Sequence, residues 1–188
     1  MKNRFFKVAP LFMLIVLMTF SACKKSEEVN DPNITDVSYN RLYSVVSGGP
    51  PSMDSIDFNN DGLAELQMQF INMGADTGIV MFAQKSQAFQ IVLESLSPVP
   101  NPRLFSKGDA IPTSNPVYYP MGYIWTKTSG YRYGVLNGEG YVAFRFSTGT
   151  KYQYGWMKVS VNNAFTDFRV LEYAYSLKFD TPINVGDK

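Results

Sequence analysis

Gly140-Tyr-Val-Ala-Phe144-Arg-Phe146, followed by Tyr154-Gly-Trp156-Met-Lys158-Val-Ser160-Val161, carries the clearest pattern in the chain. In the first segment Val142, Phe144 and Phe146 share one face, and Ala143 and Arg145 share the other. In the second, Gly155, Met157, Val159 and Val161 alternate with Tyr154, Trp156, Lys158 and Ser160. A period of two puts successive side chains on opposite sides of a strand. Thr148-Gly149-Thr150 between them is a hairpin signal.

Working outward, the same signature recurs. Ser129-Gly130 and Asn137-Gly138-Glu139-Gly140 mark further turns in a region dense in aromatics from Tyr118 to Trp156. Phe168–Tyr175 supplies a last long strand. Towards the N-terminus, Val37–Val46 reads as a strand of imperfect period. Ala64, Leu66, Met68 and Phe70 alternate with Glu65, Gln67 and Gln69 up to about Asn72. Gly78–Ala83 and Ala88–Leu93 are two more short β-rich runs, and Gln84–Gln87 reads as the hairpin between them. Ser95–Pro120 holds Pro98, Pro100, Pro102, Pro112, Pro116 and Pro120, six of the eleven prolines. Proline removes ladder donors, so this stretch reads as a surface excursion outside the sheet interior. No segment shows an amphipathic helical stripe. The expectation is an all-β, antiparallel β-sandwich, jelly-roll-like, with about eight to ten strands.

The chain has 188 residues, enough for one domain with a proper core. Histidine is absent. That removes the usual general base, the Ser-His and Cys-His nucleophile pairs, and ordinary zinc or iron sites. Net charge is +1, but Lys2, Arg4 and Lys7 lie at the N-terminus, where no acidic residue falls. With 17 basic and 16 acidic residues in all, the remainder is slightly acidic. It has no basic run, so no nucleic-acid partner is expected.

The basic start, the apolar run Leu11–Phe20 and the small Ser21-Ala22 form a tripartite secretory signal. The run is shorter than the roughly 20 apolar residues a spanning helix needs. Thr19-Phe20-Ser21-Ala22-Cys23 resembles the lipobox of bacterial lipoproteins. The resemblance implies cleavage before Cys23, the only cysteine, and acylation there. Several acyl chains would make the anchor stable, since each buried CH₂ adds about 0.8 kcal/mol. The expected organisation is a signal peptide over 1–22, a lipidated tether over 23–35 and a single domain over 36–188. The expected location is the outer membrane, on its periplasmic or cell-surface side.

Chemistry is legible from spacing in Asp57-Phe-Asn59-Asn-Asp61-Gly62-Leu63-Ala-Glu65. Oxygen-bearing side chains fall at loop positions one, three, five and nine, with glycine at six. Ca²⁺ takes six to eight oxygens at about 2.3–2.6 Å. Asp57, Asn59 and Asp61 can turn inward together, Gly62 permits a positive φ, the Leu63 carbonyl faces the centre and Glu65 closes the shell. Three clustered carboxylates repel one another without a cation. The loop is not an EF-hand, because Met68 stands where a bidentate glutamate is required and a strand follows. It resembles the strand-loop-strand calcium loop of FG-GAP and integrin-type repeats. The bland alternative is a polar Asn-Asp-Gly turn without metal.

The C-terminal third, with Val170-Leu-Glu-Tyr173-Ala174-Tyr175, is similar to a pattern in exported bacterial proteins of unknown function. That resemblance implies the fold and an exported location, and supplies no activity. Ala143 replaces the usual glycine, and Gln153 a frequent histidine. Tyr154 and Trp156, with Lys158, could form an exposed platform for a sugar ring; the competing reading is that they fill a core. Tyr118, Tyr119 and Tyr123 are a second candidate surface. The leading functional reading is a non-catalytic module binding carbohydrate or protein at the envelope. The alternatives are a carboxylate-dependent glycan hydrolase or lyase, with Glu139, Glu172, Glu94 and Asp109 as candidate acids, or a structural subunit of an envelope complex.

Overall fold

The computed structural model describes residues 37–47, 53–73, 76–83, 89–96, 100–114, 117–128, 131–134, 136, 138–147, 149–162 and 167–188. The expected signal peptide, tether and Cys23 lie outside them.

The described chain is all-β and antiparallel, in two sheets. Its strands are β1 (Val37–Ser47), β2 (Met53–Ile56), β3 (Leu66–Met73), β4 (Asp76–Ala83), β5 (Phe89–Ser95), β6 (Asn101–Pro102), β7 (Leu104–Phe105), β8 (Val117–Tyr119), β9 (Met121–Thr128), β10 (Tyr131–Gly134), β11 (Gly138–Ser147), β12 (Tyr152–Val161) and β13 (Asp167–Ser176). The eight-stranded sheet runs β1-β13-β12-β11-β5-β6, with β7 beside β11 and β8 beside β5. The five-stranded sheet runs β10-β9-β4-β3-β2.

The count exceeds the eight to ten expected because β6, β7 and β8 are short pieces of the proline-rich excursion. β6 and β8 pair with β5 and β7 with β11, so parts of the excursion join the sheet, against the expectation that it stays outside; Pro102, buried, lies opposite Leu93. Two further expectations are corrected. Gly138, Glu139 and Gly140 already pair with Val161, Ser160 and Val159, so β11 begins inside the anticipated loop. β4 and β5 belong to different sheets and do not pair, so they are not the two arms of one hairpin; the expected turn Gln84–Gln87 lies outside the described residues. The imperfect period of β1 has a cause in its register shift against β13 between Arg41 and Ser44.

The core between the sheets is built from the alternation described above. Val142, Phe144, Phe146, Met157, Val159 and Val161 meet Leu66, Met68, Ile79, Met81 and Ile124 from the opposite sheet. Gly155 leaves room for the Phe144 ring: a Cβ there would lie 2.5 Å from Phe144 Cζ. A second apolar cluster covers the other face of the larger sheet. Tyr154, Trp156, Ala143 and Tyr39 lie there beneath Phe105, Ile111 and Val185. The excursion and the C-terminal tail supply that cover. Gly108 N–H donates to the Val185 carbonyl and Val185 N–H to the Asp109 carbonyl, at 2.7 and 2.9 Å.

Candidate metal loop and aromatic surfaces

The nine residues Asp57–Glu65 connect β2 to β3, and Ile56 pairs with Leu66 across the stem. Glu65 N–H donates to the Ile56 carbonyl at 3.0 Å, which closes the loop at its base. Side-chain oxygens turn inward to hold it. Asp57 Oδ2 accepts from Gly62 N–H at 2.7 Å and Asn59 Oδ1 from Asp61 N–H at 2.9 Å. Asp61 Oδ1 accepts from Leu63 N–H at 2.8 Å. Two left-handed residues make the curl, Asn60 at φ 58° and Gly62 at φ 86°. Gly62 is the position where a Cβ would strain the turn, and asparagine tolerates this region better than most residues.

Asp57, Asp61 and Glu65 each bring a carboxylate oxygen within 4.8 Å of the others. Their settings differ. Asp61 is exposed and Asp57 half-buried, while Glu65 is only 8 % exposed. Burial pushes the Glu65 carboxyl above the usual range; the Phe58 N–H opposes this, and the charges of Asp57 and Asp61 push it further. The cluster has the concentration of negative charge that a cation relieves. The Leu63 side chain stands out in solvent, so its carbonyl is what it can offer.

Phe58 carries no ligand oxygen on its side chain and falls between the oxygen-bearing positions Asp57 and Asn59 of the loop. Its N–H donates to Glu65 Oε2 at 2.8 Å, and its side chain is fully buried in the inter-sheet core. The ring lies 4.5 Å from Phe144, 4.7 Å from Tyr173 and 5.3 Å from Phe89. The signal was present as an aromatic residue flanked by polar ones.

The Tyr154 and Trp156 platform is corrected. Trp156 is 0 % exposed, and its Nε1–H donates to the Asp187 carbonyl of the C-terminal tail at 3.1 Å. Tyr154 is buried beside it. Both point away from the main core, as their alternation requires, yet later segments cover that face. Tyr118 is half-buried and its hydroxyl donates to the Pro112 carbonyl at 2.6 Å; burial pushes that hydroxyl's pKa up, against the opposing pull of Arg145. Tyr119 is exposed on β8, and Tyr123 is half-buried.

The candidate acids are dispersed. Glu139 pairs with Lys158 at 2.5 Å. Glu172 accepts from the Tyr39 hydroxyl and the Lys188 ammonium. Asp109 accepts from Ser106 N–H, and Glu94 is exposed. Among the described residues, the grouping of three acidic side chains close enough to share a cation is the one in the loop. No protein-family profile, curated protein or solved structure matches this chain.

Proposed function

We propose that this chain is a lipid-anchored, exported, non-catalytic β-sandwich module that binds a carbohydrate or protein ligand at the cell envelope and is stabilised by Ca²⁺ in the Asp57–Glu65 loop. The observation that carries the calcium reading is the convergence of Asp57, Asp61 and Glu65 within 4.8 Å on a loop already curled by its own hydrogen bonds. An all-oxygen donor set of carboxylates, an amide and a carbonyl fits a hard cation. Asp57, Asn59, Asp61, Glu65 and the Leu63 carbonyl would hold it. The ion would neutralise three acids and brace the loop that carries Phe58 into the core.

The anchor rests on the lipobox-like Thr19–Cys23 and its apolar leader. Acyl chains on Cys23 would place the domain at the outer membrane, with the polar Lys24–Ile34 stretch as tether. Two measurements test the reading. Thermal melts of the full chain in detergent, in millimolar Ca²⁺ and in chelator, should differ, with the calcium curve higher. Cys23→Ser should lose labelling by a fatty-acid analogue and leave the membrane fraction. Superimposable melts sink the calcium role; unchanged membrane association sinks the anchor.

A further inference from the structure

A second constellation lies on the outer face of the eight-stranded sheet. Arg145 of β11 pairs with Gln90 of β5 on one side and Tyr154 of β12 on the other. Its Nε–H donates to Gln90 Oε1 at 2.7 Å. Its guanidinium carbon lies 3.9 Å from the Tyr118 ring centroid and 4.0 Å from that of Tyr152. Contact with two rings and one amide fixes the guanidinium plane.

What the chain leaves open is as informative. Arg145 has no carboxylate partner among the described residues. Its two terminal nitrogens hold no hydrogen-bond partner there, and neither is sealed from solvent. The hydroxyl of the half-buried Tyr152 is in the same condition. Half-burying a cation without an anion costs solvation free energy that ring contacts offset only in part. A fixed fork with open N–H groups is the arrangement that a planar oxyanion completes.

We propose that Arg145, with the Tyr152 hydroxyl, binds the carboxylate of an acidic sugar. One guanidinium edge matches one planar, singly charged carboxylate in a bidentate pair. A phosphate dianion calls for more positive charge than this edge supplies. A phenol hydroxyl donates and accepts, so it suits the ring hydroxyls beside a uronic carboxylate. The proposal rests on the reading of the domain as a ligand-binding module and uses no atom of the acidic loop.

The test is calorimetric titration of the full chain in detergent with trigalacturonate, its methyl ester, sulfated trigalactose and glutarate, each in calcium and in chelator. Trigalacturonate should bind, and the neutral ester should bind at least tenfold more weakly. Arg145→Lys should lose at least tenfold, because an ammonium cannot make the bidentate pair. Tyr152→Phe should lose several-fold with an unchanged melting temperature, and it serves if Arg145→Lys does not fold. No binding of trigalacturonate, equal binding of the ester, or full affinity in the tested variants overturns the site. Equal affinity for glutarate overturns the sugar assignment, and preference for the sulfated sugar overturns the carboxylate. A melt insensitive to calcium with trigalacturonate still bound sinks the metal reading alone. A calcium-shifted melt with no uronate bound sinks this one alone.

Discussion

The ring of Phe58 lies 4.5 Å from that of Phe144, although Phe58 belongs to the acidic loop of one sheet and Phe144 to the opposite sheet. The loop is therefore tied to the centre of the sandwich as well as to its rim. Phe58 connects the two through its own backbone, since its N–H donates to Glu65. Removing the ring leaves a cavity among Phe89, Phe144 and Tyr173. Phe58→Ala should cost about 3–5 kcal/mol in denaturant unfolding, and Phe58→Leu markedly less. A loss below about 1 kcal/mol would show that the loop aromatic is peripheral to the core.

Gly155 offers the opposite test, of overfilling. A Cβ at this position would lie 2.5 Å from Phe144 Cζ and 2.6 Å from the Ala174 carbonyl oxygen. The second atom is backbone of the neighbouring strand and yields little. Gly155→Ala should destabilise the domain by about 1–3 kcal/mol, despite the better strand propensity of alanine. Wild-type stability on chemical denaturation would contradict this packing.

Much of the sandwich was legible because the inward-facing residues of β11 and β12 alternate. Val142, Phe144 and Phe146 face the core together in both the pattern and the fold. The fate of Trp156 was not legible. Its cover comes from Phe105, Ile111 and Val185, in segments of no clear period that reach it only through tertiary folding. That β4 and β5 are not paired was not legible for a related reason: the alternation within two runs does not say whether they share a sheet. The carboxylate cluster was readable because side-chain spacing within nine residues nearly determines it. Phe58 escaped because its role depends on strands far away in sequence.

The tail that covers Trp156 can be removed. Asp187 accepts from the indole N–H, and Asn184 bridges to Ala110. Deleting Asn184–Lys188 in a Trp125→Phe background, which leaves Trp156 as the single tryptophan, should shift its emission to the red and lower the melting temperature. Emission unchanged from that of the background protein would mean that the tail does not shield the indole.

Glu172 makes stability depend on acid in a stated direction. Burial alone pushes its carboxyl up, but the Tyr39 hydroxyl and the Lys188 ammonium outweigh this and hold it below the usual range. The native state then binds fewer protons there than the unfolded chain does in mild acid. This contribution is complete above the ordinary glutamate value, near about 4.3, and is lost as pH falls through the depressed folded value. Glu172→Gln should flatten that part of the acid dependence in denaturant midpoints, and Tyr39→Phe should flatten it partly. Parallel curves for wild type and Glu172→Gln would remove this pairing as a source of pH dependence.

The loop variants separate charge from geometry if the calcium proposal holds. A ligand that binds only the native state stabilises it by about 2.7 kcal/mol at a hundredfold excess over Kd. For a domain of this size that raises the melting point by roughly 5–10 °C. Asp61→Ala removes a carboxylate and the acceptor of Leu63 N–H, so the calcium response should vanish. Asn59→Ala removes one neutral oxygen and the acceptor of Asp61 N–H, so a reduced response should remain. Leu63→Ala keeps the backbone carbonyl and alters only an exposed side chain, so the response should be intact. Mg²⁺ should do less than Ca²⁺ throughout, because it demands a smaller octahedral shell and gives up water reluctantly. Differential scanning calorimetry of the four proteins, in calcium, magnesium and chelator, reads all of these at once. Equal calcium shifts in Asp61→Ala and wild type would place the ion elsewhere and leave Asp57–Glu65 as a turn held by its own hydrogen bonds.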